Sequence, residues 1–172
     1  MTAEGKPVRA NVYGFQPYFY LRLPNKLAKG DFKKKFAEAL GRRQVPADQV
    51  EMVFCEKKLL YGYTGGKTFP FVKVQVKSKA AWQKVKQIVL RYETAEPSFR
   101  LTAQGNPLEV YDANLDPMLR FFHERDIQPC GWVSVDVEDA EDKDQIDCQW
   151  DEVTPTKGPV PCAPFLLAIW DI

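Results

Sequence analysis

The segment Ala163-Pro-Phe-Leu-Leu-Ala-Ile-Trp-Asp-Ile172 is an apolar run that carries one carboxylate, Asp171, at its far end. A buried strand of this composition would hold the acid rigidly at a sheet edge, the placement a metal-binding carboxylate needs. Asp171 is therefore a candidate metal ligand and catalytic residue, of an incomplete site because one carboxylate cannot hold two metals. An acid at the end of a buried strand can equally be a turn or cap residue. A second chemistry is contact with a polyanion. Lys33, Lys34 and Lys35 are consecutive cations, and Tyr18 and Tyr20 flank Phe19 in an aromatic block. Such residues can meet phosphate and stack on bases, although sheet aromatics belong to cores more often than to platforms. Strand alternation sends Tyr18 and Tyr20 to one face and Phe19 to the other.

Three other motifs carry less. Gly62-Tyr-Thr-Gly-Gly-Lys-Thr68 has one residue too few between its framing glycines for a phosphate-cradling loop and leads into a strand, so it reads as a hairpin turn. The acids from Asp136 to Asp151 have neither the glycine nor the closing glutamate of a calcium loop in register. His123, the single histidine, has no nucleophile elbow to serve and reads as a helix-surface residue.

The elements that must position these residues alternate. Residues 7–13 and 15–23 are rich in β-branched and aromatic types, with Gly14 and Pro17 between them, and read as a strand pair or one bent strand. Asp31 can cap a helix over 31–40, where Phe32, Phe36 and Leu40 recur on one side and Gly41 supplies a stop. Val50 to Phe54, Leu59 to Tyr63 and Phe69 to Val76 read as strands, with a turn at 64–67. Ser78 caps a second helix whose stripe is Trp82, Val85, Val89 and Tyr92. This β-α-β-β-α-β punctuation is the split arrangement of ferredoxin-like and RNA-recognition-like domains. After a connection at 97–107, a third helix is capped by Asn114 or Asp112, admits Pro117 in its first turn, and buries Leu115, Met118, Leu119 and Phe122. Strands near 131–137 and 145–150 follow. Thr154 to Pro164 holds four prolines and a glycine and reads as a linker, so residues 165–172 begin a new unit.

At 172 residues with 45% hydrophobic and 13% aromatic content, the chain can bury a core and excludes disorder and low-complexity classes. No apolar run approaches the ~20 residues that span a bilayer, so no membrane partner is expected. Cys55, Cys130, Cys148 and Cys162 are widely separated, which signals neither a zinc knuckle nor a disulfide framework and makes reduced thiols in a cytosolic or nuclear compartment the expectation. The net charge of +1 conceals an asymmetry: residues 1–135 carry +9 and residues 136–172 carry −8. A basic body attracts a polyanion and the acidic stretch repels one.

Four blocks in order then carry a resemblance. Gly14-Phe-Gln-Pro-Tyr-Phe-Tyr20, Gly62-Tyr63 before Phe69-Pro-Phe-Val-Lys-Val74, Tyr111-Asp-Ala-Asn-Leu-Asp116 with Leu119-Arg-Phe121, and Cys130-Gly-Trp132 together resemble the amino-terminal region of family B DNA polymerases. The likeness is to the delta type of eukaryotes and large DNA viruses, and it covers about residue 4 to 172. Residues 163–172 resemble the strand that opens the family's 3′-to-5′ exonuclease domain. The fold implied is α+β: mixed sheets with an RNA-recognition or ferredoxin-like amino-terminal subdomain, ending in the first strand of a ribonuclease H-like exonuclease domain. Residues 1–153 would be the amino-terminal domain, 154–164 the linker and 165–172 the start of the exonuclease.

The resemblance implies that Asp171 is the first carboxylate of an Asp-Ile-Glu pair that binds Mg²⁺ for proofreading. Trp170 departs mildly from the family's usual Phe. The segment would scaffold the exonuclease and help guide the template single strand. Template and primer DNA, the remainder of the polymerase and replication accessory proteins would be its partners. The nucleus or a viral replication site in the cytoplasm would be its location. The alternatives from other classes are a stand-alone module that binds single-stranded nucleic acid without catalysis, and a protein-protein scaffold. Because Asp171 lacks its partner carboxylates in this sequence, the purified chain is expected to show no nuclease activity. Mg²⁺-dependent degradation of single-stranded DNA, abolished by Asp171→Ala, would contradict this.

Overall fold

Alternation along a five-residue strand, Tyr18–Arg22, sets the inside and outside of the larger unit: Phe19 and Leu21 are wholly buried, while Tyr20 and Arg22 are only half-buried. The computed structural model of the chain describes residues 8–24, 28–90, 109–136 and 144–158. These divide into two units, one holding residues 16–24, 28–90 and 109–117, the other residues 8–15, 118–136 and 144–158. Residues 1–153, expected as one domain, thus contribute to both.

In the larger unit β2 (Tyr18–Arg22), α1 (Lys29–Arg42), β3 (Val50–Lys58), β4 (Thr68–Val76), α2 (Lys79–Leu90) and β5 (Glu109–Tyr111) follow one another. The sheet order is β3-β4-β2-β5, and every neighbouring pair is antiparallel. This is the strand order of the split β-α-β-β-α-β arrangement expected from the punctuation. Phe19, Leu21, Val72, Val74 and Val76 meet Phe32 and Phe36 of α1 and Trp82, Val85 and Val89 of α2 in a single core. Each wholly buried side chain of this kind contributes about 1.5–3 kcal/mol. Trp82 stands edge-on to Phe19 with ring centroids 5.5 Å apart. Ser78 caps α2 as expected, its Oγ accepting from the Ala81 amide at 3.2 Å. Tyr92, expected on the same stripe, lies outside the described residues.

Helix α1 differs from its expected span. It starts at Lys29, two residues early, so Asp31 lies in its first turn and complements the helix dipole instead of capping. Gly41 is inside the helix. The chain leaves α1 through Gln44, at φ 53°, where the Val45 amide donates to Leu40 O and the Gln44 amide to Gly41 O, both at 3.0 Å. This is a Schellman closure with buried Leu40 and Val45 as its apolar contact, and the left-handed position that favours glycine holds Gln44. The expected strand at Leu59 to Tyr63 is also absent. β3 runs on to Lys58, and Leu59 to Lys67 form the hairpin tip, with no third strand bordering the ribbon there among the described residues. The 64–67 turn is present, its Lys67 amide donating to Thr64 O at 3.2 Å.

The smaller unit holds β1 (Arg9–Tyr13), most of α3 (Pro117–Arg125), β6 (Val133–Val135), β7 (Gln145–Gln149) and β8 (Val153–Pro155). β1 pairs in parallel with β7, not with β2, so residues 7–13 and 15–23 are neither a strand pair nor one bent strand. Gly14 makes the break at φ 83°, where a Cβ would come within 2.7 Å of the Gln149 side chain. The residue immediately before α3 is Asp116, not Asn114 or Asp112. Pro117 is its first residue, and Asp112, at φ 65°, instead forms a turn that accepts from the Leu115 amide at 3.3 Å. Its buried side also differs. Met118 and Leu119 are 64% and 46% exposed, and the helix packs through Phe121 and Phe122 against Ile127, Cys148 and Val153. Phe15 explains the choice: its ring packs edge-on to Phe121 at 5.6 Å and to Trp150 at 5.5 Å, which turns that side of α3 inward. Arg125 locks the β7–β8 connection, donating from Nε to Val153 O and from Nη2 to Asp151 O, both at 2.8 Å.

Val153–Pro155 is a strand paired with β6, so Thr154 and Pro155 are not linker. Proline is tolerated at Pro155 because it stands at the end of a two-stranded ribbon, where its missing N–H leaves no inner ladder bond unmade. The rest of the expected linker and the 165–172 strand lie outside the described residues. Cys55, Cys130 and Cys148 are free thiols. Burial, then Glu152 and Asp147, push the Cys148 thiol up.

Gln44→Gly should stabilise the chain by about 0.5–1 kcal/mol, since glycine relieves the left-handed strain at some cost in unfolded-state entropy. Denaturant unfolding measures this. An unchanged or lowered midpoint would show that the helix exit is not strained.

Candidate nucleic-acid interface

Both helices cover one face of the four-stranded sheet. On the other face the alternation brings together side chains from all four strands: Tyr20 and Arg22 of β2, Phe69, Phe71 and Lys73 of β4, Lys57 of β3, and Glu109 and Tyr111 of β5. Tyr18 belongs to this face too, buried yet outside the helix-side core, with its ring 5.6 Å from that of Tyr20. Phe71 packs edge-on to Tyr111 at 5.5 Å.

Three of these rings are capped by cations. Lys73 Nζ lies 3.9 Å from the Tyr18 ring centroid, Lys57 Nζ 4.7 Å from that of Tyr20, and the Arg22 guanidinium 4.5 Å from that of Phe69. A partner approaching the face therefore first meets ammonium and guanidinium heads laid over an aromatic layer, which suits phosphate and the π-faces of bases. One cation is already engaged. Arg22 Nη1 lies 2.9 Å from both carboxylate oxygens of Glu109, and the Tyr111 hydroxyl donates to Glu109 Oε2 at 2.6 Å. That hydroxyl, helped by Arg22 and opposed by partial burial, holds the Glu109 carboxyl below the usual range. The same hydrogen bond, with burial, raises the Tyr111 phenol above its ordinary value.

The expected binding residues do not form one surface. Lys33, Lys34 and Lys35 lie on α1, on the helix side of the sheet, while Tyr18 and Tyr20 face the other way. Lys33 and Lys34 are exposed, and Lys33 Nζ stands 5.5 Å from the Phe54 ring. Asp171, the expected metal ligand and catalytic residue, lies outside the described residues. Among the described residues no group of three or more His, Cys, Asp or Glu side chains could hold a metal ion. His123 is an exposed residue in the last turn of α3, as expected. Sequence reading missed Lys57, Lys73 and the Arg22–Glu109–Tyr111 cluster. The signal for part of it was present: Phe69, Phe71 and Lys73 recur at every second residue, so fixing the face of Tyr20 fixes theirs. No helix of the described residues is long and apolar enough to cross a membrane.

No protein-family model matches the sequence. The chain is 22% identical over 191 residues to a DNA polymerase of Acanthamoeba polyphaga mimivirus, covering 99% of this chain and 11% of that protein. It is 24% identical over 145 residues to the DNA polymerase delta catalytic subunit of Bos taurus, covering 78% of this chain and 13% of the subunit. The solved structure of the family B DNA polymerase from the archaeon Pyrobaculum calidifontis superposes with a TM-score of 0.53 at 21% identity, over 86% of this chain and 16% of that one. The chain thus spans a sixth or less of each of these three proteins. It is an α+β polypeptide of mixed sheets with the fold of a polymerase segment. Its sequence is similar to a stretch of delta-type and viral DNA polymerases, and its fold to part of a family B DNA polymerase.

The Arg22–Glu109–Tyr111 cluster sets two pH limits. A raised Tyr111 phenol contributes stability below the ordinary tyrosine value of about 10, lost as pH rises through the folded value. A lowered Glu109 carboxyl contributes stability above the ordinary glutamate value of about 4.3, lost as pH falls through the folded value. In an ultraviolet titration of tyrosinate, Tyr111→Phe should remove one tyrosine that ionises above the ordinary range, and Glu109→Gln should make that tyrosine ionise earlier. An unchanged curve in Glu109→Gln would refute the coupling.

Proposed function

We propose that this chain is the leading segment of a family B DNA-directed DNA polymerase used in replication and equipped with 3′-to-5′ proofreading, and that it scaffolds the exonuclease and helps guide the template single strand. The observation that carries the reading is the polymerase likeness along 99% of the chain in the mimivirus protein, joined to an open sheet face lined with cation-capped aromatics. A stand-alone single-strand-binding module is not favoured, because the stretches this chain resembles lie within much longer polymerases, of which they make up 11% and 13%. Template and primer DNA and the remainder of the polymerase chain are the partners this reading requires, and accessory replication proteins would join them. The nucleus or a viral replication site is the corresponding location.

In the reading adopted here, Asp171 is the first carboxylate of a Mg²⁺ pair. Its support is the apolar strand sequence and its place after the four blocks that carry the resemblance. Bound Mg²⁺ would activate water and stabilise the leaving oxygen during excision. What the described residues contribute is positional: they hold a strand against the sheet, with cations for phosphate and rings beneath them for bases.

The test is affinity of the chain for an oligothymidylate as a function of salt. Affinity should fall steeply, with a log-log slope of about −0.7 per phosphate contact. Charge reversal at Lys73 on the open face should weaken binding and flatten the slope, charge reversal at Lys33, Lys34 and Lys35 on the helix side should leave both nearly unchanged, and Tyr20→Ser should weaken binding with the slope unchanged. A flat salt response of the parent chain would remove the template-guiding role.

A further inference from the structure

β3 and β4 stay paired for three rungs beyond the last residue of β2, from Glu56↔Pro70 to Lys58↔Thr68, and then close through a nine-residue tip. Leu23 still donates to Pro70 O at 2.9 Å, so the sheet ends in a two-stranded finger reaching about 7 Å past that bond, at ~3.3 Å per residue. The tip is unusual in what it leaves in water. Leu60 is fully exposed, Tyr61 is 95% exposed and Tyr63 is 100% exposed. Gly62, Gly65 and Gly66 all take positive φ, at 83°, 60° and 76°, so the backbone bends through the tip without folding these side chains back onto the ribbon. Lys57 and Lys58 lead into the tip and Lys67 leads out of it, all three exposed.

Resting on the template-guiding reading, we infer that this finger is a second single-strand contact, in which Tyr61 and Tyr63 stack on successive bases and Lys57, Lys58 and Lys67 meet the flanking phosphates. Two observations select a nucleic acid as occupant. The first is charge: residues 57–68 carry three lysines and no acid, and the adjoining Glu56 already accepts from the Thr68 hydroxyl at 3.0 Å. The second is continuity: Lys57 caps Tyr20 on the open face and also stands at the neck of the finger, so a strand lying on the face runs directly onto the tip. The two sites differ in what they offer. On the sheet face three rings carry a cation that an incoming base must displace, whereas both tyrosines of the tip present bare π-faces. Stacking on bare rings is tolerant of sequence, as template guidance requires.

The experiment measures oligothymidylate binding by fluorescence anisotropy across a salt series, using the parent chain, Tyr61→Ser/Tyr63→Ser, and Lys57→Gln/Lys58→Gln/Lys67→Gln. The tip side chains are exposed, so both variants should keep the parent's circular dichroism spectrum and Tm. The tyrosine variant should bind at least ten-fold more weakly with an unchanged salt slope. The lysine variant should have a slope shallower by about 2, three contacts at ~0.7 each. If the tyrosine variant binds like the parent while the parent shows a steep salt response, the finger inference fails and the polymerase reading stands; the tip then serves contact with protein. If the parent does not bind, both fail. Photocrosslinking of a bromodeoxyuridine oligonucleotide to Tyr61 or Tyr63 gives an independent readout, and crosslinks mapping only to other segments would also overturn the inference.

Discussion

The structure of the larger unit depends on the side-chain alternation of β2. Phe19 and Leu21 fill the space between the sheet and both helices, and their burial against Trp82, Phe32 and Phe36 forces Tyr18, Tyr20 and Arg22 to the opposite face. A slip of one residue would put two phenols and a guanidinium into an apolar core, so the register is strongly specified. The functional face is therefore a consequence of core formation. The same pairings carry the choice across the sheet, since Tyr20 sits opposite Lys73 on one side and Tyr111 on the other.

The smaller unit solves a different problem. Its β1–β7 pair is parallel and its β6–β8 pair is a short ribbon, so sheet hydrogen bonding alone holds little. Side chains make up the difference. Arg125 satisfies two carbonyls of the β7–β8 connection and lies 5.8 Å from the Trp150 ring. Phe15 packs on both Phe121 and Trp150 immediately after the left-handed Gly14, so the backbone break and the aromatic cluster are one device. Glu152 closes the connection by accepting from the Gln149 amide at 2.7 Å.

Periodicity made the core of the larger unit legible in the sequence. The stripes of Phe32, Phe36 and Leu40, and of Trp82, Val85 and Val89, are repeated contacts with one surface, and the Ser78 cap is local chemistry. Features decided by distant partners were not legible. Leu59 to Tyr63 has a strand's composition and no strand beside it, so it stays in solvent. Met118, Leu119 and Phe122 fit one helical stripe, yet only Phe122 of the three packs inward, beside Phe121, which Phe15, remote in sequence, meets edge-on. Gln44 hides the helix exit because nothing in its residue type advertises a left-handed backbone. For the candidate interface, the facing of Tyr18 and Tyr20 followed from alternation. Their separation from Lys33, Lys34 and Lys35 did not, because it requires knowing which face α1 covers.

Amide hydrogen exchange of the chain with and without a saturating oligothymidylate addresses most directly which surface a single strand uses. Slowed exchange confined to β2, β4, β5 and the β3–β4 tip, with α1 unchanged, is the result expected if the open face opposite the helices holds the strand. Slowing centred on α1, or none anywhere at saturation, would contradict that assignment.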